Sequence, residues 1–341
     1  MKHLLLAATV AASLILPVTA SEPASIPSPG EIAEAAPASD WIAIAPSDLL
    51  VMDLAPDAER KPRRVVIQLM PAPFSQGWIG NIRKLAATHW WDGTSVNRVQ
   101  DNYVAQWGDA TEKKALPKNL AVVPESEYER IYDPSMFKKL WAYNAPIDAV
   151  MTLYPSPPAA SPPTNYTDAY AKAFGFMSGI PFAAAMMTRR EGARQVRQPD
   201  GVWPIHCYGT VGVGRNMSPD TGSGAELYAV IGHAPRHLDR NIAVVGRVIS
   251  GIEYLSSLPR GTEALGFYKA EAERTPIASI RIASALPAAE QPRFEYLSTE
   301  SASFLRYADA RANRRDPFFI KPAGGADICN IPVPVRPAAA K

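Results

Sequence analysis

Ser95 to Asp109 reads S-V-N-R-V-Q-D-N-Y-V-A-Q-W-G-D: two short alternating apolar runs on either side of Asp101-Asn102, with Arg98 eight residues before Gln106. Asp and Asn readily form turns, so the stretch predicts strand, turn, strand. A period of two sends Arg98, Tyr103 and Gln106 to defined faces, but the turn resets the register and parity alone does not bring them together. Two readings stand side by side. In one, Arg98 pairs with a carboxylate and Gln106 caps a turn, as surface residues of these types commonly do. In the other, the pair is a candidate active site.

Working outward, Leu49 to Leu54 and Arg64 to Met70 are β-type runs separated by the charged Pro56 to Arg63 turn, a hairpin signal. Phe74 to Trp91 changes period: Trp78, Ile82 and Leu85 recur at helical spacing behind Pro73, and Asn81, Arg83 and Lys84 are placed to face water. Asp92-Gly93 punctuates the entry to the opening stretch. From Ala110 to Val202 the pattern loosens into a large insertion, with a helix expected over Glu125 to Tyr143, a Pro-rich patch at Tyr154 to Pro163 and an apolar run from Phe174 to Met187. Further β-runs follow at Ile205 to Val213, Ala225 to Ile231, Ile242 to Ile249 and Thr275 to Ala283, with a short helix over Gly251 to Leu258. Phe294 to Ala312 is expected to be helical and Pro317 to Lys341 a Pro/Ala-rich tail.

Several of these segments, in order, resemble the cyclophilin-type peptidyl-prolyl isomerases. W-D-G-T-S-V-N-R-V and Y-V-A-Q-W-G-D are similar to the family's Y-D-G-x-x-F-H-R-V turn and F-M-x-Q-G-G-D strand. His206 to Val211, with Gly214 and Arg215 beyond, resembles the strand leading to the substrate-gripping segment. Ser223 to Tyr228 resembles Gly-Ser-Gln-Phe-Phe, and Leu238-Asp239 with Val245 to Val248 and Gly251 resembles the family's closing motifs. The likeness runs over residues 47 to 285, interrupted by the insertion.

The resemblance implies a mainly β protein: a closed eight-stranded antiparallel barrel capped by the helices Phe74 to Trp91 and Gly251 to Leu258, occupying residues 46 to 285, with the insertion of 110 to 202 on one side. It implies peptidyl-prolyl cis-trans isomerisation without a cofactor or metal, on proline-containing peptides or unfolded clients. Arg98 would be the catalytic group and Gln106 its holder or a ligand of the substrate carbonyl. Tyr103, Val104 and Tyr228 would form the proline pocket with Leu238 and Ile242, and the Gly212 to Asn216 segment, including Gly214 and Arg215, would grip the peptide main chain. The departures are Asn97 for the histidine before the arginine, Trp107 for the first glycine of Q-G-G-D, Ile242 for a pocket histidine or tyrosine, and His237 near a tryptophan tied to drug binding. Tight cyclosporin binding is not expected from such a pocket. The rival reading is a cyclophilin-like module that binds a proline-containing segment, or acts as a chaperone, with weak or no turnover.

With 341 residues and 47% hydrophobic content the chain can bury a full core. A net charge of +2 and 20% charged residues without a basic block give no reason to expect a nucleic-acid surface. Lys2 and His3 precede the apolar run Leu4 to Val18, and Val18-Thr19-Ala20 has the small residues of a cleavage site, the layout of a signal peptide over residues 1 to 20. The run is shorter than the roughly 20 residues of a spanning helix. An exported product is therefore expected, in the periplasm or secreted, without stable membrane insertion, beginning with a flexible leader over residues 21 to 45. The 2 cysteines, Cys207 and Cys329, leave two readings open: a disulfide, or a Cys207 that is a small buried hydrophobe. His89, His206, His233 and His237 lack metal-ligand spacing, and His89 and His206 lie in apolar runs that suit satisfied structural histidines.

Overall fold

The computed structural model describes residues 26–131, 170–171, 173–191 and 194–338. The chain opens with a short helix α1 (Pro29–Glu34) and strand β1 (Trp41–Ala43), then β2 (Leu49–Leu54), β3 (Arg63–Leu69), helix α2 (Gln76–Ala87), β4 (Ser95–Val99) and β5 (Val104–Gly108). A second group comprises β6 (Arg130–Ile131), β7 (Ala173–Met177), β8 (Ile180–Glu191) and β9 (Arg194–Pro204). β10 (Thr210–Val213), β11 (Leu227–Val230), β12 (Val244–Ser250), the single turn α3 (Glu253–Ser256) and β13 (Thr275–Ile282) follow, and β14 (Phe294–Leu297), α4 (Ala302–Ala312) and β15 (Val335–Pro337) close the chain.

Eight strands close into a barrel in the order β10-β11-β5-β4-β13-β2-β3-β12, antiparallel throughout. Closure leaves no free edge on these strands. β2 is apolar at nearly every position rather than alternating, because both of its faces are covered. Leu50, Met52 and Leu54 point into the barrel core, while Leu49 and Val51 belong to a second core outside it. β3 repeats the division, with Val65, Ile67 and Leu69 inside and Val66 outside.

α2 plugs one end of the barrel with Trp78, Ile79, Ile82 and Leu85, all buried. Asn81, expected to face water, is instead fully buried. Its Nδ2 donates to the carbonyls of Ala121 (2.9 Å) and Ser223 (3.0 Å), and its Oδ1 accepts from the Ala121 N–H at 2.7 Å. A buried amide with its hydrogen bonds made costs little, so polarity alone misassigned it. The second capping helix is only the one turn α3, which buries Leu255.

The second core is where the expectations for the ends of the chain fail. Within the supposed flexible leader, α1 carries a capping box between Ser28 and Glu31 and packs against α4, and β1 pairs with β14. Trp41 is buried and the Arg336 guanidinium lies 3.9 Å from its ring centroid. The Pro and Ala content that suggests a linker instead supplies a helix start at Pro29 and small buried residues at Ala33 and Ala36. Phe294 to Ala312 is not one helix: β14 lies between β1 and β15, and α4 begins after Ser301, whose Oγ accepts from the Phe304 N–H at 3.0 Å. The C-terminal tail adds β15 and the buried Ile328 and Ile331.

The described part of the insertion is a four-stranded sheet, β6-β9-β8-β7. It contributes to both cores: Ala173, Ile180, Phe182 and Val202 to the first, and Phe174, Phe176, Ala183 and Trp203 to the second. The helix expected from Glu125 reduces to a 3-10 turn at Glu125–Tyr128 followed by β6. The rest of that expected helix, the Pro-rich patch and the expected signal peptide lie outside the described residues. Ile205 to Val213 is a link before it is a strand. Cys207 is joined to Cys329 by a disulfide that crosses 122 residues of sequence, and β10 begins only at Thr210.

Candidate active site

Across the β4–β5 hairpin the register shifts between Val96 and Arg98, and this irregularity sets Arg98 opposite Gln106. On the other side of β5, Gln106 stands opposite Tyr228 of β11. Ala105, Trp107, Leu227 and Ala229 point into the barrel, so by alternation Val104, Gln106, Tyr228 and Val230 lie on its outer face. Two positions of one hairpin and a third from a strand more than 120 residues away thus meet on one external surface.

Arg98 is half-buried and held from three sides. Its Nη1 donates to Gln106 Oε1 at 3.0 Å, its Nη2 to Gln100 Oε1, and its Nε to the carbonyl of Leu265 at 2.8 Å. The guanidinium carbon lies 5.8 Å from the Tyr103 ring centroid and 5.3 Å from that of Phe267. Burial pulls its pKa below the usual arginine value, with the neighbouring Tyr103 and Tyr228 opposing the shift. Arginine remains charged at neutral pH under any such shift. Gln100 was legible in principle, since two residues along a strand return to the same face. Leu265 and Phe267 arrive from a loop more than 160 residues away and leave no local sequence signal.

Beside the guanidinium, Val104, Tyr228 and Val230 form a small apolar cluster rimmed by Tyr103 and Ile242. The exposed His237 ring stacks on Tyr103, with centroids 6.5 Å apart and planes 9° from parallel. Tyr228 is not simply barrel core. Its hydroxyl reaches His206 Nε2 at 2.9 Å, His206 Nδ1 meets Asp239 Oδ1 at 3.0 Å, and Arg236 Nε donates to Asp239 Oδ2 at 2.6 Å. A carboxylate only accepts, so Nδ1 carries the imidazole proton and Nε2 accepts from the phenol. His206 is the satisfied structural histidine its surroundings suggested. Burial, with Tyr103 and Asp239 nearby, pushes the Tyr228 phenol well above its ordinary pKa, so it stays a donor.

The remaining expected residues frame this cluster. Gly214 donates its N–H to the Glu226 carbonyl at 2.8 Å, anchoring the segment that follows β10. Arg215 donates to the carbonyls of Asn241 (3.0 Å) and Asn216 (2.7 Å), so its head staples the Gly214 segment to the loop bearing Ile242. Leu238 ends a 3-10 turn, and its carbonyl accepts from the Asn241 and Ile242 N–H groups at 2.9 and 3.2 Å. Arg98, Gln106, Tyr103, Val104, Tyr228 and Ile242 are therefore gathered together, with Gly214, Arg215 and Leu238 on the two bordering segments. Glu226, which sequence reasoning passed over, lies next to Gln106. Its carboxyl pKa rises to about 7, chiefly through burial and with help from the Asp109 charge, against hydrogen bonds from Gln106, the Asp109 backbone and Asn97.

A family model for cyclophilin type peptidyl-prolyl cis-trans isomerases/CLD matches residues 63–285. The crystal structure of cyclophilin AquaCyp293 from Hirschia baltica is similar over 88% of this chain and 95% of its own, at 20% identity and a TM-score of 0.59. At that identity the likeness concerns the fold alone. A crystal structure of a Cryptosporidium parvum cyclophilin type peptidyl-prolyl cis-trans isomerase covers 69% of this chain and 97% of its own, at 11% identity and a TM-score of 0.34, and carries no argument. No curated protein matches the sequence.

Proposed function

The chain belongs to the cyclophilin-type peptidyl-prolyl cis-trans isomerase family, and from that premise we propose that it catalyses X-Pro isomerisation in exported proteins with Arg98 as the catalytic group. The observation that carries this reading is the guanidinium fixed by Gln106, Gln100 and the Leu265 carbonyl beside an apolar slot.

The barrier to be lowered is the loss of amide resonance, about 18–20 kcal/mol. In the twisted transition state the prolyl nitrogen regains a lone pair that the planar amide lacks. A guanidinium N–H that meets this lone pair stabilises the twisted form over the planar one, which is what raises the rate. Three of the five Arg98 N–H groups hold the planar head in place, and the others remain to donate. Val104, Tyr228 and Val230 receive the proline ring, with Tyr103 and Ile242 at its edge. The Gly214–Asn216 segment, stapled by Arg215, offers main-chain groups to the peptide. The cleavable leader expected at residues 1 to 20 and the disulfide favour an oxidising compartment, with the periplasm as the site of action. No helix among the described residues is long and apolar enough to cross a membrane.

A proline-peptide isomerisation assay tests the reading. Arg98→Ala should lower kcat/KM about a hundredfold or more while leaving the circular dichroism of the fold unchanged. An Arg98→Ala rate equal to the wild type would remove Arg98 from the chemistry. A wild-type rate equal to the uncatalysed one, with peptide still bound, would leave the binding-module reading in its place.

A further inference from the structure

One carboxyl beside Gln106 has no part in the chemistry above. Glu226 stands two residues before Tyr228 on the chain entering β11, so it shares the outer face with Tyr228 and lies against Gly108. A Cβ placed on Gly108 would meet Glu226 Oε1 at 1.8 Å. One placed on Gly214 would meet Glu226 Cβ at 2.9 Å and Gln106 Nε2 at 3.5 Å. Two glycines thus open the slot that the Glu226 carboxyl and the Gln106 amide occupy together. The carboxyl receives hydrogen bonds from the Gln106 and Asn97 side chains and from the Asp109 backbone.

We infer that Glu226 is a positioning residue whose carboxylate decides which end of the Gln106 amide faces Arg98, and that protonating it releases the catalytic guanidinium. The inference rests on the isomerase reading above. An ionised carboxylate only accepts, so it draws Gln106 Nε2 towards itself and leaves Gln106 Oε1 to receive Arg98 Nη1 at 3.0 Å. A proton taken up from solvent turns one carboxyl oxygen into a donor. Asn97 Oδ1 is buried with no hydrogen-bond partner among the described residues, an acceptor ready for a new donor in this slot. A neutral carboxyl offers one donor and one acceptor, which either end of the Gln106 amide can meet, so the orientation of that amide is no longer imposed and Gln106 Oε1 ceases to be a fixed partner of Arg98.

The charged groups around Glu226 are few. Just beyond β5, the Asp109 charge disfavours ionisation, while the Asp109 carboxylate itself is occupied by the N–H groups of Thr111, Lys113 and Lys114. From β4, Arg98 lies behind Gln106, and Asn97 is neutral. From the Gly214 segment, Arg215 is turned to the Asn241 and Asn216 carbonyls. Burial outweighs the donors and places the ionisation near pH 7, where the switch would operate under ordinary conditions.

The test uses the mature protein, with wild type, Glu226→Gln and Glu226→Leu compared from about pH 5.5 to 8.5 in a protease-free isomerisation assay. The Arg98 Nε–H and Gln106 side-chain amide resonances are titrated by NMR in parallel. Wild-type kcat/KM is expected to rise by up to about tenfold between about pH 6 and 8 through one ionisation. Glu226→Gln, which offers a donor and an acceptor as the protonated carboxyl does and cannot ionise, should be flat across the range at the slow rate of the wild type at low pH, and Glu226→Leu should be slow throughout. The wild-type resonances should move with the same midpoint, and those of Glu226→Gln should not. Wild-type resonances that do not titrate, or an activity profile as flat as that of Glu226→Gln, overturn the inference. Resonances that titrate in a wild type with no detectable turnover would instead sink the isomerase reading and leave the coupling of Glu226 to Gln106 and Arg98 standing.

Discussion

At the scale of single residues, the site depends on polar groups held in place by named partners from other elements. Arg98 illustrates why a residue type in a pattern is not yet a function: the strand period offers its face, but only the register shift beside Val96 sets it against Gln106. Tyr228 illustrates the reverse, a pocket wall whose position is fixed from behind by His206 and Asp239. His206→Ala removes a hydrogen-bond partner of the buried Asp239 carboxylate as well as that of the Tyr228 phenol. With Arg236 still paired to Asp239, it should cost about 2–4 kcal/mol of unfolding free energy. Tyr228→Phe, which strands only the His206 Nε2 acceptor, should cost about 1–2 kcal/mol. Urea denaturation of the two variants checks the order, and equal losses would mean that Asp239 does not depend on His206. The motif around Arg98 was readable along the chain, whereas the His206–Asp239 link was not, because it joins two loops by a contact that no periodicity marks.

At the scale of elements, the strands of the barrel were legible and the covering layers were not. β2, β3, β5, β11 and β12 announce themselves as short apolar runs between turn residues. β1 and β15, of three residues each, are too short to carry a period, and they exist because β14 supplies a partner on each side. Trp41 is the element-scale test. It is buried in the second core, beside the β1–β14 pairing and the Arg336 guanidinium, and is not part of the cluster beside Arg98. Trp41→Ala should lower stability by about 3–5 kcal/mol, read by chemical denaturation. Its kcat/KM below the unfolding range should stay within about twofold of wild type, in contrast to Arg98→Ala. A loss of activity as large as that of Arg98→Ala, in folded protein, would show that the outer layer shapes the site and does not merely cover the barrel.

At the scale of the whole molecule, a barrel with its own interior carries a second core on the outer faces of β2 and β3, closed by both ends of the chain and by the four-stranded sheet. The Cys207–Cys329 disulfide fastens the C-terminal segment to the link between β9 and β10. In the chain-entropy account, a closed loop of this size stabilises by roughly 4–5 kcal/mol. The protein should therefore show no free thiol before reduction and lose about that much stability on reduction, read by thiol titration and chemical denaturation. Free thiols in the folded protein would contradict the pairing. The sequence by itself marked most barrel strands and the plugging helix through local periodicity, and its ordered motifs, through their resemblance to a known family, pointed to Arg98, Gln106 and the proposed pocket residues, because periods and motifs are properties of neighbours along the chain. Only the tertiary structure decided that the leader and tail form one sheet, that Asn81 is buried, and that Phe267 and the Leu265 carbonyl close on Arg98. It alone set Glu226 behind Gln106, since burial and hydrogen-bond partnership are set by residues far apart in sequence.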